Sequence, residues 1–193
     1  QKALSSTSHL YGVRAMEKGE LTEAESLLQQ AVQLYPVDAE ARRHYATTLW
    51  QAEKRDQAVA QLDEALRLSE SDSSLHLQKC RYEIERENYA EAMVAVQRAV
   101  DLDPQSAEPW ALRARVHRAQ NRPADALSDY HRALGKAPQD RAVLEELAEF
   151  HWSLATDSAE GERHLHRALV TLFSLLDTYS QGDEPQHVLL LAG

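Results

Sequence analysis

The chain of 193 residues is poor in the residues that interrupt helices. It has 6 glycines and 6 prolines, whereas alanine, leucine, glutamine, glutamate and arginine, which are good helix formers, are abundant. Alternating polar and apolar runs, which are typical of strands, are absent at any useful length. The sequence therefore predicts an all-α fold.

A single cysteine and the lack of long apolar runs exclude two further classes. One cysteine, Cys80, cannot form an internal disulfide. No run reaches the roughly 20 apolar residues of a membrane helix, which predicts a soluble chain without membrane insertion. The compartment stays unknown, with the cytoplasm slightly favoured. Because the chain begins at Gln1 without a methionine and ends at Gly193 just after an apolar segment, we interpret it as a fragment of a longer protein.

Motifs of common enzymes are also missing. There is no glycine-rich phosphate loop, no G-x-S-x-G elbow, no H-E-x-x-H pair and no paired C-x-x-C. The net charge of −10 argues against nucleic acid as a partner, because such affinity comes largely from lysine and arginine. We therefore predict no enzyme activity, no cofactor, no metal and no nucleic acid.

Small residues recur along the chain at steps of 34. Two alanine series fall in the second half of each period: Ala24, Ala58, Ala92 and Ala126, then Ala31, Ala65, Ala99 and Ala133. A third series falls in the first half: Gly12, Ala46, Cys80, Ala114 and Ala148. Pro36, Pro104 and Pro138 end their periods. Shared periods without insertions indicate a structural repeat, and Cys80 is interpreted as a packing residue.

One period, residues 107–140, shows how a unit is built. Trp110, Ala114 and His117 share one helical face, and Asn121-Arg122-Pro123 then interrupts the helix. Ala126, Tyr130 and Ala133 form the stripe of a second helix. Each unit is therefore predicted to be two helices of about 14 residues joined by a tight turn. Small residues are expected where the helices touch, because larger side chains would overpack the contact.

These features resemble the tetratricopeptide repeat family, whose units run W-x2-L-G-x2-Y, then A-x3-F-x2-A and a proline. Four units match: 5–38 (Tyr11-Gly12, Ala24, Leu28, Ala31, Pro36), 39–72 (Tyr45-Ala46, Leu49, Ala58, Leu62, Ala65), 73–106 (Cys80, Ala92, Val96, Ala99, Pro104) and 107–140 (Trp110, Ala114, Ala126, Tyr130, Ala133, Pro138). The tryptophan slot holds Ser8, Arg42 and His76 in the first three.

A degenerate fifth unit is assigned to 141–180. Ala168 lies one residue after the position that a 34-residue step from Ala133 predicts. We therefore expect a longer turn around Thr156–Glu160, followed by a second helix at about 160–180. The repeats would form one domain over 1–182, with 183–193 as a tail or linker to a missing following region.

The resemblance implies a right-handed superhelical α-solenoid of antiparallel helix pairs, whose first helices line a concave groove for a partner. The implied partner-binding residues are His9, Val13, Arg43, Thr47, Trp50, Leu77, Arg81, Ile84, Arg115, Arg118, Glu149 and Trp152. Arginines with interleaved apolar residues favour a protein or peptide segment that is acidic and apolar. The alternative is that these arginines only pair with Glu40, Glu85, Glu108 and Glu149 on neighbouring helices. Glu145-Glu146 is interpreted as solvated surface, and Trp110 as core.

The predicted function is that of a protein–protein interaction scaffold or adaptor. One alternative is a regulatory or docking module of a larger multidomain enzyme. Another is self-association, giving a homo-oligomer through the apolar C-terminal helix or the 185–193 tail.

Overall fold

The computed structural model describes residues 2–157 and 160–179, and the regular secondary structure within these ranges is entirely α-helical. Ten helices are found there: α1 (Lys2–Glu17), α2 (Leu21–Leu34), α3 (Ala39–Gln51), α4 (Arg55–Leu68), α5 (Ser73–Glu85), α6 (Tyr89–Leu102), α7 (Ala107–Ala119), α8 (Pro123–Lys136), α9 (Arg141–Asp157) and α10 (Gly161–Tyr179). The all-α prediction is confirmed.

The helices belong to two compact units. Unit one is Gln1–Asp103, with α1 to α6, and unit two is Pro104–Gly193, with α7 to α10. Within each unit, odd-numbered and following even-numbered helices pair as hairpins, and neighbouring hairpins stack as in an α-solenoid. We call the odd-numbered members first helices and the others second helices. A single domain over 1–182 stays a prediction, and the tail 183–193 lies outside the described residues.

The small-residue slots lie where the two helices of a hairpin meet. The alanines at 24, 58, 92 and 126 and at 31, 65, 99 and 133 are completely buried. Ala46, Cys80 and Ala114 are equally inaccessible on the first helices, which agrees with a packing role for Cys80. In the first hairpin, a Cβ atom on Gly12 would lie 2.6 Å from Leu28 Cγ. These contacts are the physical basis of the 34-residue period.

The turns inside the hairpins also repeat. Gly19, Glu53, Glu87 and Asn121, again 34 residues apart, all have positive φ angles. After each, a backbone N–H closes the end of the first helix, as Lys54 N does on the Leu49 carbonyl at 2.9 Å. This is the usual C-terminal stop of a helix, in which one residue is left-handed. Sequence reasoning recognised only the stop at Asn121.

Two residues that replace the family's tryptophan, Arg42 and His76, make the same contact as Trp110 with the preceding connection. Trp110 Nε1 donates to the Pro104 carbonyl at 3.0 Å. Arg42 Nε donates to the Pro36 carbonyl at 2.9 Å, and His76 Nε2 lies 3.0 Å from the Glu70 carbonyl. In α3, α5 and α7 this position therefore holds a side chain that bonds the connection before the helix, whereas Ser8 of α1 bonds Gln30 and the equivalent residue of α9 is Leu144. Trp110 is half-buried rather than fully within the core.

The fifth hairpin differs from the expected one. Thr156 and Asp157 belong to α9, so the expectation that a longer turn includes Thr156 is wrong. Residues 158 and 159 of the expected turn lie outside the described residues. Instead, α9 has 17 residues where α7 has 13. The buried set Ala168, Leu172 and Leu175 then repeats the A-x3-F-x2-A spacing of α8, so Ala168 fills the first alanine slot. Compared with α7 and α8, helices α9 and α10 are therefore each about one turn longer. No glycine or proline interrupts α9.

Candidate functional site

The candidate site of unit one is the face of α1, α3 and α5 that carries its predicted partner-binding residues. These are His9 and Val13 on α1, Arg43, Thr47 and Trp50 on α3, and Leu77, Arg81 and Ile84 on α5. We call this surface the unit-one inner face. Most of these side chains are half-buried or exposed, whereas Leu77 is only 5% exposed. Leu77 therefore supports the surface and offers almost no area to a partner.

Trp50 is held in a fixed orientation at the end of α3. Its ring stacks on Tyr82 of α5, with centroids 3.9 Å apart and planes within 6° of parallel. Its indole Nε1 donates to Glu85 at 3.2 Å, and the Arg55 guanidinium lies 5.2 Å from its ring centre. Stacking and cation–π contacts of this kind fix a large amphipathic side chain. The part of Trp50 that remains exposed therefore faces solvent in a defined position.

A polar network continues from this aromatic pair. Gln78 Nε2 donates to Thr47 Oγ1 at 2.8 Å and to Tyr82 Oη at 2.9 Å. Thr47 in turn donates to the Arg43 carbonyl at 3.0 Å. The network links α3 with α5, so their inner residues keep a fixed spacing. Gln78 and Tyr82 were not predicted, although their i, i+4 spacing on α5 places both on one helical face.

Two histidines join α1 to α3 on the same face. His9 Nε2 and His44 Nδ1 are 2.9 Å apart, and His44 Nδ1 is 3.0 Å from the Glu40 carbonyl. Burial, with help from the positive charges of Arg43 and His9, lowers the pKa of His44. A neutral His44 suits this contact, because two charged imidazoles would repel each other.

The arginines of the two units have different partners. Arg43 donates to Glu40 Oε2 from both Nε and Nη2, at 3.0 and 2.7 Å, along its own helix. Arg115 on α7 instead forms a bidentate pair with Glu146 of α9, in which Nε lies 2.7 Å from Oε2. The expectation that Glu146 is only solvated surface is wrong, since it also accepts a hydrogen bond from Tyr130 at 3.2 Å. Burial and the neighbouring Glu146 raise the pKa of Tyr130.

The rest of the unit-two candidate residues lie on α7 and α9. The Arg118 guanidinium is 5.8 Å from the Phe150 ring centre. Glu149 and Trp152 are exposed on α9, and the tryptophan retains 44% of its accessible surface. Arg118 and Trp152 therefore offer a cation and an aromatic ring to solvent in unit two.

Buried charges away from these faces are paired with other protein groups. Asp129 is 2% exposed and accepts from Arg113 Nε at 2.7 Å and Nη2 at 2.8 Å. Glu83 accepts from Arg86 and Asn88, and Lys79 Nζ lies 2.6 Å from Asp63. These groups join helices within hairpins or between neighbouring hairpins. Over the described ranges, the histidine, cysteine and acidic side chains form no cluster of three or more that could hold a metal ion.

Sequence comparison identifies the repeat. A family model described as tetratricopeptide repeat matches residues 15–80 and 49–116, and a second of the same description matches 107–150. The chain belongs to the tetratricopeptide repeat family. No curated protein matches the chain in sequence. Within the part of the chain that the structure describes, no helix of this tetratricopeptide repeat protein is long and apolar enough to cross a membrane.

Solved tetratricopeptide repeat and related structures share the fold. A structure described as PilF of Pseudomonas aeruginosa is 18% identical with a TM-score of 0.78, covering 98% of this chain and 81% of the other. MamA is 14% identical with a TM-score of 0.75, covering 94% of both chains. YrrB, described as a TPR protein with an unusual peptide-binding site, is 17% identical with a TM-score of 0.67, covering 96% and 89%. At these identities the likeness supports the fold alone.

Proposed function

We propose that this chain is a protein–protein interaction scaffold that binds a peptide or protein segment on the inner faces of its first helices. Family membership supports the general role, because stacked helical repeats present an extended surface for partners. The observation that carries the proposal is the fixed, partly exposed Trp50 on the unit-one inner face. Tryptophan and arginine are the side chains that most often dominate binding energy at such surfaces.

The unit-one inner face suits a segment with both apolar and acidic side chains. Trp50 and Ile84 provide apolar area, while Arg43 and Arg81 provide cations on α3 and α5. Because Tyr82 and Glu85 already hold Trp50, binding would lose little side-chain entropy. In unit two, Arg118 and Trp152 would make a second contact of the same kind.

Selection of peptides from a random library against the chain tests this proposal. Peptides enriched in carboxylates next to apolar side chains are expected. Replacing Trp50 with alanine is expected to weaken their binding by about 2 kcal/mol or more, as for an interface hot spot. Val94→Ala is the matched control, because Val94 is an exposed apolar residue on the second helix α6. Equal affinities for wild type, Trp50→Ala and an Arg81→Ala, Arg115→Ala double variant would reject the inner-face proposal.

Self-association is a second candidate function, favoured by exposed leucines on α10. A docking role inside a larger enzyme stays a prediction, as do the absence of catalysis and the acidic character of the partner.

A further inference from the structure

The exposed apolar residues concentrate on two helices. Of the eleven large hydrophobic side chains that are exposed in the described ranges, seven belong to α1 or α10: Leu4, Leu10, Tyr11, Leu165, Leu169, Val170 and Phe173. These helices are the first of unit one and the last described in unit two. Apolar clusters of this kind mark interaction surfaces more often than ordinary surface does.

Two leucines of α10 lie at positions equivalent to leucines of α8 that take part in the packing of α8 on α9. In α8, Leu127 and Leu134 pack against a buried cluster that includes Val143, Leu147 and Phe150 of α9. Alignment of the alanine slots of α8 and α10 places Leu169 at the Leu127 slot and Leu176 at the Leu134 slot. Leu169 is 40% exposed. The face of α10 that would receive another first helix is therefore apolar and accessible.

The face of α1 is the other half of this contact. Residues Val143, Leu147 and Phe150 of α9 are all buried, and the same slots on α1 hold Thr7, Tyr11 and Arg14. In α3 the Tyr11 slot holds Tyr45, which is buried in a cluster with Leu28 of α2. Tyr11 itself is 53% exposed. α1 thus presents the surface that, on α3 and α9, is covered by the preceding second helix.

We propose that α10 of one copy packs on α1 of a second copy, and that this contact repeats the α8–α9 packing between molecules. The contact is heterologous, because two different surfaces of the same chain meet. Each copy has one face of each kind, so association of the wild-type chain is not limited to dimers. The proposal is independent of peptide binding on the inner faces.

The register of an existing contact places apolar side chains of the two faces opposite each other. Consecutive helices joined by short turns run antiparallel, and in unit one Lys79 of α5 reaches Asp63 of α4 at 2.6 Å. Lys79 is equivalent to Tyr11 of α1, and Asp63, five residues after Ala58, is equivalent to Phe173, five residues after Ala168. Tyr11 of one copy would therefore lie opposite Phe173 of another copy. The two side chains are 53% and 69% exposed, so this pairing would cover two exposed aromatic rings.

Two complementary variants of the 193-residue chain test the proposal by sedimentation velocity over a wide concentration range. Tyr11→Glu damages only the α1 face, and Leu169→Glu damages only the α10 face. We expect the wild type to associate, each variant alone to remain monomeric, and an equal mixture of the two to form dimers through the remaining pair of intact faces. Val94→Glu, at an exposed position of α6, is the control and should associate like the wild type.

Three results would overturn the proposal. A wild-type chain that stays monomeric at every concentration would show that the faces do not pair, whether or not another segment covers them. Continued association of Tyr11→Glu would indicate pairing of α10 with itself or with the tail. A mixture that remains monomeric, while circular dichroism shows both variants folded, would exclude the heterologous contact.

Discussion

The close contact at Gly12 provides the sharpest test of the packing argument. A Cβ atom there would lie 2.6 Å from Leu28 Cγ, 3.0 Å from Cδ2 and 3.3 Å from the Leu28 backbone nitrogen. Leu28 is completely buried, and Cγ is not the free end of its side chain. Rotation about χ2 moves only the terminal methyl groups and therefore does not make room for an extra carbon beside Cγ.

The expected effect of Gly12→Ala is the difference between two opposing terms. Overpacking of a filled core costs about 1–3 kcal/mol. Replacing glycine with alanine in a helix returns about 1 kcal/mol, because alanine loses less backbone entropy on folding. We therefore expect a net loss of stability of about 1 kcal/mol, since the contact at the less mobile Cγ places the overpacking cost near the middle of its range.

Gly135 is the matched control, because a Cβ atom there would meet nothing within 4 Å although the residue is also helical. Gly135→Ala should raise stability by about 0.5–1 kcal/mol. Urea unfolding followed by circular dichroism measures both changes, and amide hydrogen exchange assigns the first to the α1–α2 hairpin. If Gly12→Ala were as stable as the wild type or more stable, steric contact would not explain the small residues of the repeat.

Three further substitutions test buried charge, turn geometry and titration. Asp129→Ala should lower stability by about 3–5 kcal/mol, because it leaves a buried arginine without its partner; Asp125→Ala, on the exposed side of the same helix, should cost less than about 1 kcal/mol in the same urea titration. Glu87→Gly should increase the free energy of unfolding by about 0.5 kcal/mol, because relief of the left-handed conformation slightly exceeds the entropy cost of glycine. The urea midpoint should rise accordingly, and an unchanged or lower midpoint would contradict a strained turn. Burial lowers the pKa of His151 to about 4, so only the unfolded chain binds that proton as the pH falls below the ordinary histidine value of about 6.5. Stability should therefore decline on acidification by up to about 3 kcal/mol, and His151→Gln should lose this part of the pH dependence in parallel unfolding titrations.

Local regularity made most of the helical architecture predictable. The 34-residue steps of small residues specify where two helices touch, and the start of each first helix from α3 to α9 follows from them. The fifth hairpin was misjudged because a period of small residues cannot indicate whether inserted residues extend a turn or two helices. That outcome depends on continued packing between the extra turns, where His151 and His164 now lie 3.2 Å apart.

The candidate site was predictable in position but not in detail. The repeat indicated that Trp50 and Arg115 belong to first helices, yet neither the stack of Trp50 on Tyr82 nor the pairing of Arg115 with Glu146 was predicted. Both partners belong to a neighbouring hairpin about one period away in sequence. Side chains at that separation meet only after the hairpins have stacked.

The sequence alone determined the helices, their pairing and the family, because periodic small residues act through contacts inside one hairpin. The tertiary structure decided which charges are buried in pairs, which aromatic ring is fixed beside solvent and which apolar faces of α1 and α10 remain uncovered. The aromatic stack and the exposed faces depend on how hairpins stack, and the buried pair of Arg113 with Asp129 depends on side chains that are not part of the small-residue pattern.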